Sequence, residues 1–214
     1  YGIPPTLVRA SAEEYLKPNY DATITFRDKH TIEIAGVTIE LHHAPGESED
    51  QIALWIPQWK IAFIGDNFYE TFPNIYTLRG TQTRAPLDWI ASVERVLAWE
   101  PEILLPSHMS PIVGKEEIER KLTQYRDAIQ YVHDKTVEGM NAGKDVHTLM
   151  KEIKLPSELA MSQDYGRLTW SIRGIYEGYV GWFDENPAHM YEIPADDIFG
   201  DLVELAGGAG PILD

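Results

Sequence analysis

The sequence predicts an α/β protein in which most strands precede most helices. Three observations indicate this. Short runs of β-type residues follow one another between residues 22 and 64, an amphipathic helical pattern at 87–99 leads into another short apolar run at 103–105, and long helical patterns follow residue 114. Strands that feed a helix and then a further strand are typical of a layered α/β sandwich.

The strands are predicted from period and from turn residues. Runs 22–26 and 31–34 are short and β-type, and Gly36 provides a turn. Residues 37–42 alternate between apolar and polar side chains, which is the period of a half-buried strand. Two more continuously apolar runs follow at 52–56 and 61–64, and Pro57-Gln58 separates them as the turn of a hairpin would.

The helices are predicted from three- and four-residue spacing. Pro86 suits a first helical turn, and one face of 87–99 carries Leu87, Ile90, Val93, Val96 and Leu97. Residues 116–141 form one long helical pattern, which Gly143 ends. Asp145 can cap a helix over 146–153, and Pro156 can begin another helix. The pattern at 167–183 is rich in aromatic residues, and a last helix is predicted within 196–205.

Glycines also recur at 174, 178 and 181. Each Gly inside a helix costs roughly 1 kcal/mol relative to Ala, so three of them predict a close approach between helices, with a poorly formed helix as the alternative. We predict two domains, residues 1–114 with the sheet and residues 115–205 with helices, and a linker at 206–214.

Composition limits the possible functions. The 214 residues include 18 basic and 34 acidic ones, a net charge of −16, which argues against nucleic-acid binding because phosphates would be repelled. The absence of Cys excludes disulfides and thiolate metal ligands. No apolar run approaches the roughly 18 residues of a membrane span. The chain begins at Tyr1 rather than Met, so we expect a truncated or processed product.

Three residues of metal-ligand type follow predicted strands. Glu47 comes after Pro45-Gly46, Asp66 ends the 61–64 strand, and His108 comes after the 103–105 strand. Side chains at strand ends can converge at one sheet edge, and carboxylate with imidazole suits zinc or a similar divalent ion. Taken singly, each has a plain alternative, such as a solvated turn glutamate or an aspartate that caps a helix.

The remaining histidines are weaker candidates. His42 and His43 are adjacent and would face opposite sides of a strand. We expect His30, His133 and His147 to be solvated.

Four blocks of sequence resemble bacterial alkylsulfatases of the metallo-β-lactamase superfamily. They are Gly-Asp-Asn at 65–67, Asn-Ile-Tyr-Thr-Leu-Arg-Gly at 74–80, Leu-Pro-Ser-His at 105–108 and Gly-Trp-Phe-Asp-Glu-Asn-Pro-Ala-His at 181–189. The resemblance implies part of an αββα sandwich followed by an all-helical dimerisation domain, and hence a homodimer. The His-x-His-x-Asp-His cluster of the superfamily is absent, so the chain looks like the later half of an enzyme whose N-terminal half is missing.

The resemblance also implies site residues. Two zinc ions would be held in the intact enzyme, with Glu47 in place of a usual histidine, Asp66 as the bridging acid and His108 completing the second site. Family members have Glu at the bridging position, and the segment after Pro45-Gly46 is shorter here, so Glu49 rivals Glu47. Arg79 is the candidate for binding a sulfate ester, because a guanidinium matches its oxygens. Asn74 and Tyr76 could add hydrogen bonds.

The implied activity is hydrolysis of alkyl sulfate esters by metal-bound water. The isolated chain would be inactive and its zinc site partial or empty. Trp170 stands where family members have a histidine that contacts sulfate, which puts substrate preference in question. The resemblance alone suggests a periplasmic or secreted location. Two alternatives remain open: another hydrolase of the superfamily, such as a lactonase or phosphodiesterase, or a non-catalytic oligomerisation fragment.

Overall fold

The structure is a computed structural model that describes residues 22–76, 84–181, 183, 190 and 199–208. Residues 1–21, the sulfate-binding candidate Arg79 and most of the 181–189 block therefore lie outside the described residues.

A six-stranded sheet forms the first part of the described chain, with the strands in sequence order across it. The strands are β1 (Lys29–Ile34), β2 (Val37–His43), β3 (Ile52–Ile56), β4 (Ile61–Gly65), β5 (Ile103–Pro106) and β6 (Ile112–Val113). Neighbours pair antiparallel except β4 and β5, which are parallel. It follows that β2, β4 and β5 point the same way and end at the same edge of the sheet.

Helices supply the parallel crossover and the rest of the fold. They are α1 (Pro86–Ala98), α2 (Lys115–Asn141), α3 (Val146–Glu152), α4 (Leu168–Val180) and α5 (Phe199–Leu205). Helix α1 lies between β4 and β5 in the chain, as a parallel pair requires a long connection. Asp145 caps α3 as predicted, accepting a hydrogen bond from the Thr148 amide. Among the described residues, no helix is long and apolar enough to cross a membrane.

One continuous apolar core joins the sheet to the helices that follow residue 114. Small side chains on the central strands, Ala53 and Ala62, are fully buried in the same cluster as Trp89 of α1. Tyr125 of α2 and Ile172 of α4 also belong to this cluster. The mixed α/β class predicted from the sequence is therefore confirmed, whereas the division into domains at 114 and 205 stays a prediction.

Four details predicted from the sequence were wrong. Residues 22–26 form no strand, and Pro156 precedes only a single 3-10 turn, Ser157–Leu159. Gly181 lies beyond α4 as its C-cap at φ 81°, a left-handed conformation that glycine adopts freely. Gly174 approaches the loop residue Tyr76 rather than another helix, since an added Cβ would lie 2.8 Å from the Tyr76 Cβ.

Candidate active site

The sheet edge at which β2, β4 and β5 end carries all three predicted ligands. Asp66 follows β4 directly and His108 follows β5, and the parallel pairing of these strands brings Asp66 Oδ1 to 3.3 Å from His108 Nε2. Glu47, beyond β2, reaches the pair through Tyr69. The Tyr69 ring stacks on His108 with 6.2 Å between centroids, and its hydroxyl donates to Glu47 Oε2 at 2.7 Å. Asp66 and His108 therefore meet directly, and Glu47 is joined to them only through Tyr69.

Asn67 ties together the loops that carry Glu47 and Asp66. Its side chain is fully buried, accepts a hydrogen bond from the Glu47 amide at 3.0 Å and donates to the Ala44 carbonyl at 2.7 Å. Gly46 leaves room for this side chain, because an added Cβ would lie 2.1 Å from Asn67 Oδ1. The Trp89 indole donates to the Asn67 carbonyl at 2.9 Å, so α1 also holds this loop.

Three hydrogen-bond donors hold the Glu47 carboxylate. Arg84 Nη2 and the Tyr165 hydroxyl donate to Oε1 at 2.9 and 2.8 Å, and Tyr69 donates to Oε2. Arg84 is 8% exposed and also donates to the Asn74 carbonyl at 2.7 Å. Together these donors fix the orientation of the carboxylate.

Tyr69 remains a hydrogen-bond donor at neutral pH. Burial raises the pKa of its hydroxyl, and the bond to the Glu47 carboxylate raises that pKa further. Both effects act in the same direction, because loss of the proton would place a second negative charge beside Glu47 in a partly buried site.

Asp66 is the residue that most needs a further partner. Its Oδ1 atom is buried and accepts no hydrogen bond from the described residues. A buried carboxylate oxygen beside an imidazole fits a divalent cation such as zinc, for which both groups are ordinary ligands. The described residues nevertheless contain no group of three or more acidic or histidine side chains arranged to hold a metal. Asp66 and His108 are thus a pair of candidate ligands rather than a full set.

The other candidates are placed differently. Glu49, the rival of Glu47, is exposed, and its carbonyl accepts a hydrogen bond from His43 at 2.6 Å. Tyr76 packs against Gly174, and the contact that the structure gives for Asn74 is through its carbonyl. Trp170 is 43% exposed on α4.

Sequence reasoning missed Tyr69, Arg84 and Tyr165. A signal existed for Tyr165 alone, because it lies close before Trp170, the position at which family members have a histidine that contacts sulfate.

Comparisons with known proteins agree with the predicted resemblance. Residues 145–214 match a family model described as alkyl sulfatase dimerisation. A linear primary-alkylsulfatase from Pseudomonas sp. (strain ATCC 19151) is 36% identical over 213 residues, which is 97% of this chain and 40% of that protein.

Solved structures give the same result for the fold. A stereoselective inverting sec-alkylsulfatase from Pseudomonas sp. superposes with a TM-score of 0.80 at 26% identity, covering 88% of this chain and 31% of that one. A metallo-β-lactamase family protein from Thermus thermophilus superposes with a TM-score of 0.51 at 15% identity, covering 75% of this chain and 49% of that one, and shows the fold alone. The chain therefore spans less than half the length of each of these proteins. The resemblance is confirmed: over nearly its whole length this chain is a relative of the alkylsulfatases and corresponds to a part of them, and it shares the fold of a metallo-β-lactamase family protein.

Proposed function

We propose that this chain supplies the later part of a binuclear zinc site in an enzyme that hydrolyses alkyl sulfate esters. The observation that carries the proposal is the Asp66–His108 pair at the edge where β2, β4 and β5 end, in which a buried carboxylate oxygen accepts no hydrogen bond from the described residues. The similarity to alkylsulfatases supports the reaction class.

Each residue has a role that its contacts support. Asp66 and His108 would hold zinc directly. Glu47 would be a third ligand through Oε2, because among the described residues that oxygen accepts one hydrogen bond and keeps a second lone pair, whereas Oε1 already accepts two. Zinc held there would lower the pKa of a coordinated water and supply a nucleophile near neutral pH. Glu47 is favoured over Glu49, which is exposed.

Sulfate recognition would fall to Arg79, with Asn74 and Tyr76 as neighbouring hydrogen-bond partners. Arg84 is the guanidinium that the structure describes near the site, but two of its nitrogens already donate to Glu47 and to the Asn74 carbonyl. We therefore propose Arg79, in the same chain segment, as the group that binds the ester oxygens.

Three ligands are too few for two zinc ions, since each zinc normally has four ligands and a catalytic one takes three from protein. We propose that residues outside this chain supply the others, and that the 214 residues alone bind zinc weakly and hydrolyse no alkyl sulfate. A division of the ligands between this chain and residues outside it also explains why the described residues contain a pair of candidate ligands rather than a complete set.

The test compares this chain with a longer protein that adds the preceding segment of the gene. Zinc is titrated into both and its retention after dialysis is measured, and both are assayed on alkyl sulfates, lactones and phosphodiesters. The longer protein should hold two zinc ions and hydrolyse alkyl sulfates, and His108→Ala should abolish that activity. His147→Ala is the matched control, because His147 is exposed on α3. Two zinc ions held tightly by the 214-residue chain alone would refute the proposal that residues outside this chain supply some of the ligands. Turnover of lactones or phosphodiesters but not of alkyl sulfates would refute the proposed reaction.

We also propose a homodimer formed through the helical part. The dimerisation family model covers residues 145–214, and α4 leaves Trp170, Tyr179 and Val180 substantially exposed. Large aromatic side chains of this kind are typical interface anchors. Gly178→Leu should weaken the dimer without removing a ligand. Light scattering over a dilution series would measure this, and a protein that is monomeric at every concentration would refute it.

A further inference from the structure

Two loops from distant parts of the chain are joined by backbone hydrogen bonds beside the site. Thr71 and Ser162 form a parallel bridge, the Phe72 amide donates to the Ser162 carbonyl at 2.7 Å, and the Gly166 amide donates back to the Phe72 carbonyl at 3.0 Å. The first loop follows β4 and Asp66, and the second lies within the stretch that the dimerisation model matches. The two loops are therefore fixed relative to each other.

Gly166 allows this approach. A Cβ at Gly166 would lie 2.1 Å from the Pro73 carbonyl oxygen and 2.5 Å from that of Phe72. Real Cβ atoms do not come so close to backbone oxygens, so any other residue would push the loops apart. The consequence falls on the preceding residue, Tyr165, which this contact directs toward the sheet edge.

Tyr165 contacts the site from the helical part. Its hydroxyl donates to Glu47 Oε1 at 2.8 Å across a separation of 118 residues, and the centroid of its ring lies 4.7 Å from that of Tyr69. Tyr69 in turn stacks on His108. The contact thus connects a loop of the dimerisation stretch to two of the three candidate ligands.

We propose that Tyr165 is a positioning residue that fixes the Glu47 carboxylate for metal binding, so that the stretch named for dimerisation also completes the active site. The inference rests on the proposed function in one respect, which is that Glu47 is a ligand. With Arg84 and Tyr165 both on Oε1, that oxygen is fully used, and Oε2 accepts from Tyr69 alone among the residues that the structure describes, which leaves it a lone pair for a metal. Without the Tyr165 hydroxyl, one of the two bonds that set this orientation is lost.

Partners that orient a metal ligand typically change metal affinity or activity by about 10- to 100-fold when they are removed. The test uses the longer protein described above, which adds the preceding segment of the gene, and zinc alone as the ligand. Zinc affinity is measured by competition with a chromophoric chelator for the unaltered protein and for Tyr165→Phe, which keeps the ring and removes the hydroxyl. Tyr131→Phe is the matched control, because Tyr131 is a partly buried tyrosine on α2 that packs on the core. We expect Tyr165→Phe to lower zinc affinity by about 10-fold or more and Tyr131→Phe to leave it unchanged.

A double-mutant cycle separates positioning from a structural role. If Tyr165 acts through Glu47, then Tyr165→Phe should lower zinc affinity no further when Glu47→Ala is already present. The proposal would be overturned if Tyr165→Phe lowered zinc affinity equally with and without Glu47→Ala, or if it lowered zinc affinity in neither protein. Light scattering on the same samples should show an unchanged oligomer. Because the readout is zinc affinity, a protein that binds zinc but hydrolyses no sulfate ester would refute the proposed reaction and leave the inference on Tyr165 standing.

Discussion

Replacement of Asn67 by alanine should destabilise the protein strongly. Asn67 is fully buried and connects the loop after β4 to the loop after β2. Asn67→Ala removes both side-chain hydrogen bonds and leaves the Glu47 amide and the Ala44 carbonyl without that partner. Ala44 is itself buried, so water cannot easily replace the lost donor.

The magnitude follows from these two bonds. Each buried polar group left unsatisfied costs about 1–3 kcal/mol, and the half-buried Glu47 amide lies at the low end of that range. The sum is about 3 kcal/mol. For a protein of this size, 1 kcal/mol lowers the melting temperature by about 2–4 °C, so Asn67→Ala should melt about 6–12 °C below the unaltered protein.

Differential scanning calorimetry of the purified protein would measure this shift, with urea unfolding as a second determination of the free energy. Asn141→Ala is the matched control, because Asn141 is the exposed last residue of α2 and its loss should cost less than about 0.5 kcal/mol. If Asn67→Ala melted within about 2 °C of the unaltered protein, the argument that Asn67 fixes the Glu47 loop would be refuted.

Three further predictions rest on single contacts. Tyr125→Phe should stabilise the protein by about 1 kcal/mol in urea unfolding, because the Tyr125 hydroxyl is buried and has no hydrogen-bond partner among the described residues; a clear loss of stability would contradict this. Gly166→Ala should cost about 2–3 kcal/mol through its backbone collision, whereas Gly200→Ala, in open space on helix α5, should not destabilise the protein, and urea unfolding of both variants would check this. Asp145→Ala should lower the melting temperature, since Asp145 caps α3. Hydrogen bonds from Thr148 lower the pKa of Asp145. The difference in melting temperature between the two proteins should therefore be complete above the ordinary aspartate pKa and vanish as the pH falls through the lowered value. A difference in melting temperature that does not depend on pH would contradict this.

Elements that repeat with a local period could be predicted from the sequence. Alternation predicted β2, apolar spacing and Pro86 predicted α1, and the 116–141 pattern predicted α2 to within one residue. The sequence also placed Asp66 and His108 at strand ends, and the parallel pairing of β4 and β5 then had to bring them together. The periods of strands and helices depend on residues only a few positions apart, so they can be predicted from a single sequence.

Which distant side chains meet could be learned from the folded structure alone. Glu47 binds Tyr69, Arg84 and Tyr165, which lie 22, 37 and 118 residues away, and no periodic pattern encodes such pairs. His133, expected to be solvated, is instead buried between its hydrogen bonds to Asp134 and to the hydroxyl of Tyr179 on α4. Burial of a polar group depends on which elements pack over it, and that packing is set by the whole core rather than by the residues next to it in the chain.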